Sequence, residues 1–167
     1  MKKALIVCLM ILAVCASLFA KAENSFRNLD AKDRYGKRVT SEVFRNYDLT
    51  LVNFFVPWCY ACHGEIRDLG QLYERLPSNI NMIMICPDVQ SDPDAFEDMV
   101  FRLGENLTVL VMTEKEASRY YEVLGYPTMC YVDRNGEILG VNFGGASIST
   151  IYLEDADRLL KKMNLSK

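Results

Sequence analysis

The stretch LTLVNFFVPWCYAC, residues 49–62, decides the fold of this chain. Its first eight residues are apolar on nearly every position and rich in β-branched and aromatic side chains, the pattern of a strand buried on both faces. Pro57 stops that strand. After Cys62, apolar residues recur at helical spacing as far as Leu76, which predicts a helix. The sequence therefore places Cys59 and Cys62 where a buried strand meets a helix.

The middle of the chain alternates strands with helices. Apolar runs predict strands at 80–85 and 107–112. Helical stripes predict helices at 93–103, begun by Ser91-Asp92-Pro93, and at 114–124. With the first strand and helix, this is a βαβαβα order, which indicates an α/β protein with parallel strand pairs.

The last third of the chain shows a different pattern. Asn135-Gly136 separates β-rich runs at 128–133 and 137–142, a strong signal of an antiparallel hairpin. A closing helix is predicted over 149–163. Its expected apolar side comprises Ile151, Leu153, Leu159, Leu160 and Met163.

A short hairpin is also predicted before the first strand, at 26–40, around Tyr35-Gly36. No repeat, linker or low-complexity tract interrupts residues 26–167. We therefore expect one α/β domain with a central mixed β-sheet flanked by helices.

Residues 1–22 have the layout of a secretory signal peptide: Lys2 and Lys3, an apolar run over 4–19, and small residues at 20–22. The first alternative to a signal peptide is a transmembrane anchor, but the apolar run is short for one. A lipoprotein signal ending before Cys15 is the second, although Val14 stands where such signals usually have a small residue.

The charge of the chain excludes one class of partner. The 167 residues carry 19 Lys+Arg and 22 Asp+Glu. Removal of residues 1–22 takes away three lysines and no acid, which leaves 16 basic against 22 acidic residues, a net charge of −6. An acidic chain without a basic block is not expected to bind nucleic acid.

The C-x-x-C pair Cys59-Tyr60-Ala61-Cys62 has a chemical reason for its spacing. On the first turn of a helix, these positions bring two sulfurs within bonding range and allow a reversible disulfide. The unpaired amides and positive dipole end of that helix stabilise a thiolate at its first residue. Cys59 is therefore the expected exposed nucleophile, and Cys62 the cysteine that attacks it from below.

Other readings of the pair remain open. A structural disulfide explains the two cysteines but not their position between strand and helix. A metal site would need ligands that the isolated Cys86 and Cys130 do not supply, so no metal is expected. Followed by His63, the pair also matches C-x-x-C-H, the attachment signature of c-type haem. The α/β order disfavours haem, and we expect no cofactor.

Several motifs together make the chain resemble the thiol-disulfide oxidoreductases of the TlpA/ResA type, within the thioredoxin superfamily. The resemblance covers nearly all of residues 26–167. It rests on Val56-Pro57-Trp58-Cys59-Tyr60-Ala61-Cys62, Glu65, Tyr121-Glu122-Val123-Leu124-Gly125-Tyr126-Pro127-Thr128 and Asp133-Arg134-Asn135-Gly136. It implies a thioredoxin-like fold in which residues 92–112 form an inserted helix and strand.

The resemblance also implies roles for individual residues. Pro127 would be a cis-proline beside the disulfide, with the Tyr126 backbone offering hydrogen bonds to an extended substrate. Trp58 would shield the disulfide and contact partners, although a core aromatic is an alternative. Glu65 would be a buried carboxylate that takes the proton of Cys62. The family often has proline where this chain has Arg67, which leaves a local helix kink in doubt.

By the same resemblance, the chain is expected to reduce disulfides in exported proteins, including apocytochrome c, with electrons from a membrane thiol-disulfide donor. The dipeptide Tyr60-Ala61 does not decide the direction, so an oxidase or isomerase stays open, as does a non-catalytic binding domain. Cys86 and Cys130 are expected on strands that flank the central one. They should be buried, too far apart to bond, and act as small hydrophobic residues. A second disulfide, or a thiol that resolves complexes with partner proteins, is the alternative.

Overall fold

The computed structural model describes residues 24–144 and 148–165, so the predicted leader and Cys15 lie outside the described part. Within it, the strands form one mixed sheet in the order β2-β1-β5-β4-β3-β6-β7. The strands are β1 (Asp30–Asp33), β2 (Arg38–Thr40), β3 (Leu49–Phe54), β4 (Ile80–Cys86), β5 (Thr108–Val111), β6 (Thr128–Asp133) and β7 (Ile138–Phe143). The helices are α1 (Tyr60–Tyr73), α2 (Pro93–Leu103), α3 (Glu114–Ala117) and α4 (Ile148–Leu165).

Strand β3 occupies the centre of the sheet. It pairs in parallel with β4 and antiparallel with β6, and all six of its residues are buried. The parallel β3–β4–β5 order and the antiparallel β6–β7 hairpin confirm the predicted α/β architecture. The N-terminal hairpin β1–β2 joins the same sheet through β5, which belongs to the predicted insertion.

Two apolar cores cover the two faces of the sheet. One contains Cys86 and buries the inner sides of α1, α2 and α4. The other contains Cys130 together with Phe26, Phe44 and Tyr120. Both cysteines are free and fully buried, as predicted. Because they belong to opposite faces of the sheet, they cannot pair without rearranging it.

The helix predicted over 114–124 is wrong in length, because α3 ends at Ala117. It begins as expected, with a capping box between Thr113 and Glu116. The chain then leaves the helix so that two consecutive tyrosines enter one core: the ring of Tyr120 stacks on Phe26, and that of Tyr121 contacts Phe54. A continuing helix would turn adjacent side chains about 100° apart, since it has 3.6 residues per turn.

The apolar side predicted for the last helix is also wrong in part. Helix α4 buries Tyr152 and Ala156, whereas Ile151 and Leu153 are exposed by 39% and 37%. The Tyr152 hydroxyl donates a hydrogen bond to the buried carboxylate of Glu65. Tyr152 and Ala156 lie at helical spacing with Leu159 and Leu160, which pack against the same core, so the predicted side left out two members of the buried face.

The turns of the β1–β2 and β6–β7 hairpins have the same pattern of backbone hydrogen bonds. In the β6–β7 turn the Gly136 amide donates to Asp133, and the Asp133 amide donates to Glu137. The β1–β2 turn repeats these bonds at Asp33, with Gly36 in the position of Gly136. The two glycines have φ of +83° and +79°, the left-handed region that suits glycine. Their surroundings differ: a Cβ on Gly136 would lie 2.7 Å from the Arg27 amide nitrogen, while one on Gly36 would meet nothing within 4 Å.

We therefore expect Gly36→Ala to cost about 1 kcal/mol of unfolding free energy, from backbone strain alone. Gly136→Ala should cost about 3 kcal/mol, because it adds a clash with the backbone of residues 26–27. Urea unfolding of the two variants measures both values, and Gly36→Ala serves as the matched control. Equal losses would show that the close approach at Gly136 is unimportant.

Candidate redox site

The two cysteines begin helix α1 and form a disulfide, with their Cα atoms 5.2 Å apart. Cys59 is the N-cap residue, and its sulfur accepts a hydrogen bond from the Cys62 amide at 3.1 Å. Cys59 is 7% exposed and Cys62 1%. The cysteine that solvent can reach is thus the one at the positive end of the helix dipole, where a thiolate is stabilised.

Sheet topology brings the remaining site residues to the same edge. The last residue of β3, Phe54, pairs with Thr128, the first residue of β6. Thr128 in turn pairs with Phe143, the last residue of β7. As a result Pro127, before β6, and Gly144, after β7, lie at the edge where β3 leads into the disulfide.

The Tyr126–Pro127 peptide bond is cis, as the resemblance implied. The Gly144 amide donates a hydrogen bond to the Pro127 carbonyl at 2.9 Å. A Cβ on Gly144 would lie 2.7 Å from Pro127 Cγ and 2.9 Å from Glu65 Oε2. Pro127 and Glu65 therefore approach one backbone position from two sides, and only glycine leaves room for both.

Glu65 is buried one helical turn after Cys62, with 1% of its surface exposed. Its Oε1 accepts hydrogen bonds from the Tyr152 hydroxyl at 2.5 Å and from Asn53 Nδ2 at 3.4 Å, whereas Oε2 has no partner within the described chain. Burial raises the pKa of Glu65 to about 7; the Tyr152 hydrogen bond opposes this shift, and the nearby charge of Asp68 adds to it. A carboxyl group with this pKa can take up or release a proton near neutral pH.

Trp58 lies on the surface, 59% exposed, so the alternative of a core aromatic is wrong. Its indole Nε1 donates a hydrogen bond to Asp88 Oδ2 at 3.0 Å, and its ring meets Tyr126 edge to face at 5.7 Å. The loop after β4 and the cis-proline loop thus hold the indole beside the cysteines.

His63 Nε2, the atom that would ligate haem iron, lies 2.6 Å from the carbonyl oxygen of Pro57. The mixed sheet also differs from the small helical folds of most c-type cytochromes. These features do not favour the haem reading. Residues 24–144 and 148–165 contain no group of three or more His, Cys, Asp or Glu side chains placed to hold a metal ion.

Sequence reasoning missed four residues of this site: Asn53, Asp88, Gly144 and Tyr152. Asn53 had a visible signal, since it is a lone amide in an apolar strand and period-two alternation places it on the face of Leu51. The other three had none, because their roles depend on contacts with residues 17 to 87 positions away in the chain.

Comparison with known proteins agrees with this geometry. The profile of the AhpC/TSA family matches residues 22–141. The thiol-disulfide oxidoreductase ResA of Bacillus subtilis (strain 168) is 22% identical over 152 residues, which cover 88% of this chain and 84% of ResA.

Two solved structures share the fold. A thioredoxin-family thiol:disulfide interchange protein from Chlorobium tepidum superimposes with a TM-score of 0.64 at 25% identity, covering 83% of this chain and 94% of that one. A secreted disulfide oxidoreductase of Mycobacterium tuberculosis gives 0.62 at 21% identity, with 76% and 92% covered.

The raised pKa of Glu65 predicts a pH-dependent stability. The folded state favours the protonated carboxyl of Glu65 over the charged one. Protonated Glu65 therefore adds its full amount to the free energy of unfolding below pH 4.5, the ordinary pKa, and this amount is lost as the pH rises to about 7. Relative to Glu65→Gln, the free energy of unfolding of the oxidised wild-type protein should fall by about 3 kcal/mol across that window. Chemical unfolding at several pH values measures this difference. A difference that is constant with pH would contradict the raised pKa.

Proposed function

The chain belongs to the AhpC/TSA family and is a thioredoxin-fold thiol-disulfide oxidoreductase of the ResA type, and we propose that it acts outside the cytoplasm as a reductase of disulfides in exported proteins. The observation that carries the proposal is the Cys59–Cys62 disulfide at the start of α1, with the buried carboxylate of Glu65 one turn away. A purely structural disulfide would not need a carboxylate held at this cost in desolvation.

In the proposed reaction, the Cys59 thiolate attacks a substrate disulfide, forms a mixed disulfide and releases one substrate thiolate. Cys62 then transfers its proton to Glu65 and attacks Cys59, which breaks the mixed disulfide and releases the second substrate thiolate. The substrate gains two electrons, and Cys59 and Cys62 lose them. A thiol-disulfide donor in the membrane would return these electrons in a second exchange.

The substrate polypeptide would lie beside the cis-proline. The Tyr126 backbone is placed before Pro127 at the sheet edge and would hydrogen-bond an extended chain. Next to it, Trp58 and residues 121–125 line an open cavity of about 460 Å³. We propose that this cavity receives side chains that flank the substrate cysteine, and apocytochrome c is one candidate substrate.

Export is supported by the signal-peptide pattern at residues 1–22, and the relative from M. tuberculosis is described as secreted. In the described part of the chain, no helix is both long and apolar enough to cross a membrane. Lipid attachment at Cys15, after cleavage just before that residue, would be the alternative to cleavage near residue 22, and mass spectrometry of the N-terminus distinguishes the two.

The reduction potential of the Cys59–Cys62 couple tests the direction of electron flow. Equilibration of the purified domain in dithiothreitol or glutathione buffers, followed by thiol trapping, should give a value near that of thioredoxin, about −270 mV. A value near that of DsbA, about −120 mV, would instead assign an oxidase. A pair that never equilibrates would make the disulfide structural.

The unequal exposure of the cysteines predicts which one binds substrate. Cys62→Ser should accumulate mixed disulfides through Cys59, because the second attack is removed. Cys59→Ser should accumulate about tenfold fewer, since Cys62 is 1% exposed. Non-reducing gels of the two variants, mixed with an oxidised protein substrate, provide the comparison. Equal trapping, or more trapping in Cys59→Ser, would reverse the assignment.

A further inference from the structure

The two oxygens of the Glu65 carboxylate have different surroundings. Oε1 accepts the short hydrogen bond from Tyr152, at 2.5 Å, and the longer one from Asn53, at 3.4 Å. Oε2 is buried without a hydrogen-bond partner among the described residues and faces the backbone of Gly144, beside Pro127. Oε1 is therefore held in place by hydrogen bonds, and Oε2 can accept a proton.

The surroundings of Tyr152 keep its hydroxyl protonated, as the donor of this hydrogen bond. It lies on α4, 87 residues from Glu65, and is 1% exposed. Burial, together with the negative charge of Glu65, raises the pKa of its hydroxyl far above the ordinary value. The hydroxyl therefore keeps its proton at any pH at which the protein works, and Tyr152 remains a donor whether Glu65 is charged or neutral.

We propose that Tyr152 is a positioning residue for the redox reaction: its hydroxyl holds Oε1 of Glu65 and leaves Oε2 to receive the proton of Cys62. This inference rests on the proposed function. In the step concerned, the Cys62 S–H bond breaks and its proton goes to Oε2. The Cys62 sulfur bonds to that of Cys59, and the Cys59–substrate bond breaks. The substrate sulfur leaves as a thiolate, so the charge of Glu65 passes to the product.

Among residues 24–144 and 148–165, Asp68 is the charged side chain that shifts the pKa of this carboxylate. Asp68 lies three residues further along α1, and Asn53 contacts the carboxylate from β3 without a charge. Behind Tyr152 lie Tyr131 of β6 and Asp155 of α4, which bond to each other. The cysteine pair at the start of α1 supplies the proton that moves.

Because the bond from Tyr152 stabilises the charged carboxylate, its loss should raise the pKa of Glu65. A hydrogen bond to a charged group is worth enough to move a pKa by about one unit.

The test compares Tyr152→Phe with Tyr131→Phe as a matched control. Each variant removes one buried tyrosine hydroxyl that bonds a carboxylate, but the partner of Tyr131 is Asp155 rather than Glu65. Stopped-flow mixing of reduced protein with Ellman's reagent separates formation of the mixed disulfide at Cys59 from its resolution by Cys62. The readout is the pH profile of the second, unimolecular step.

In Tyr152→Phe, the inflection of that profile should move up by about one unit, with a rate about tenfold lower below the inflection. Tyr131→Phe should keep the wild-type profile. An unshifted profile in Tyr152→Phe, or equal shifts in both variants, would overturn the proposal. If Glu65→Gln leaves the rate and profile of the second step unchanged, the base role in the proposed function fails, which is a distinct result.

A second measurement needs no variant. In the oxidised wild-type protein, the ¹³Cζ resonance of Tyr152 should titrate with the same midpoint as the carboxyl carbon of Glu65. A Tyr152 resonance that does not follow Glu65 would overturn the proposal even if Tyr152→Phe failed to fold.

Discussion

The site depends on the position of β3 at the centre of the sheet. This strand is hydrogen-bonded on both sides, with β4 parallel and β6 antiparallel to it. The end of β3 that leads into Cys59 is therefore also the end at which β4 finishes and β6 begins. These pairings bring Asp88 beside Trp58, and Pro127 and Gly144 beside Glu65. A shift of one residue between β3 and β6 would turn the strand's core residues to the opposite face and separate these groups.

The polar cluster beneath the disulfide differs from the rest of the core. Glu65, Asn53 and Tyr152 are each 1% exposed, and they occupy the face that otherwise packs apolar side chains of α1, α2 and α4. Their hydrogen bonds offset part of the desolvation cost, but Glu65 Oε2 and Asn53 Oδ1 have no partner in the described chain. A partly satisfied buried group is expensive, and such groups concentrate where chemistry needs them.

The two errors in the predicted helices both involve buried tyrosines. Helix α3 stops at Ala117 because Tyr120 and Tyr121 both pack into the core beneath the sheet. The buried face of helix α4 includes Tyr152, whose hydroxyl reaches the carboxylate of Glu65. Tyrosine combines an apolar ring with a polar hydroxyl, so its burial follows from the partners that it finds. Local periodicity treats it only as one more apolar residue.

The sequence by itself determined the strand and helix that flank Cys59 and Cys62, the parallel order of the middle segments and the hairpin at Gly136. These features follow from local constraints: apolar periodicity, helix caps and the backbone freedom of glycine. The motif resemblance identified Glu65 and Pro127. Only the tertiary structure decided which oxygen of Glu65 is anchored, and that Tyr152, Asn53 and Gly144 surround it. Those contacts join residues up to 87 positions apart, and they exist only once the sheet register and the packing of α4 have brought the segments together.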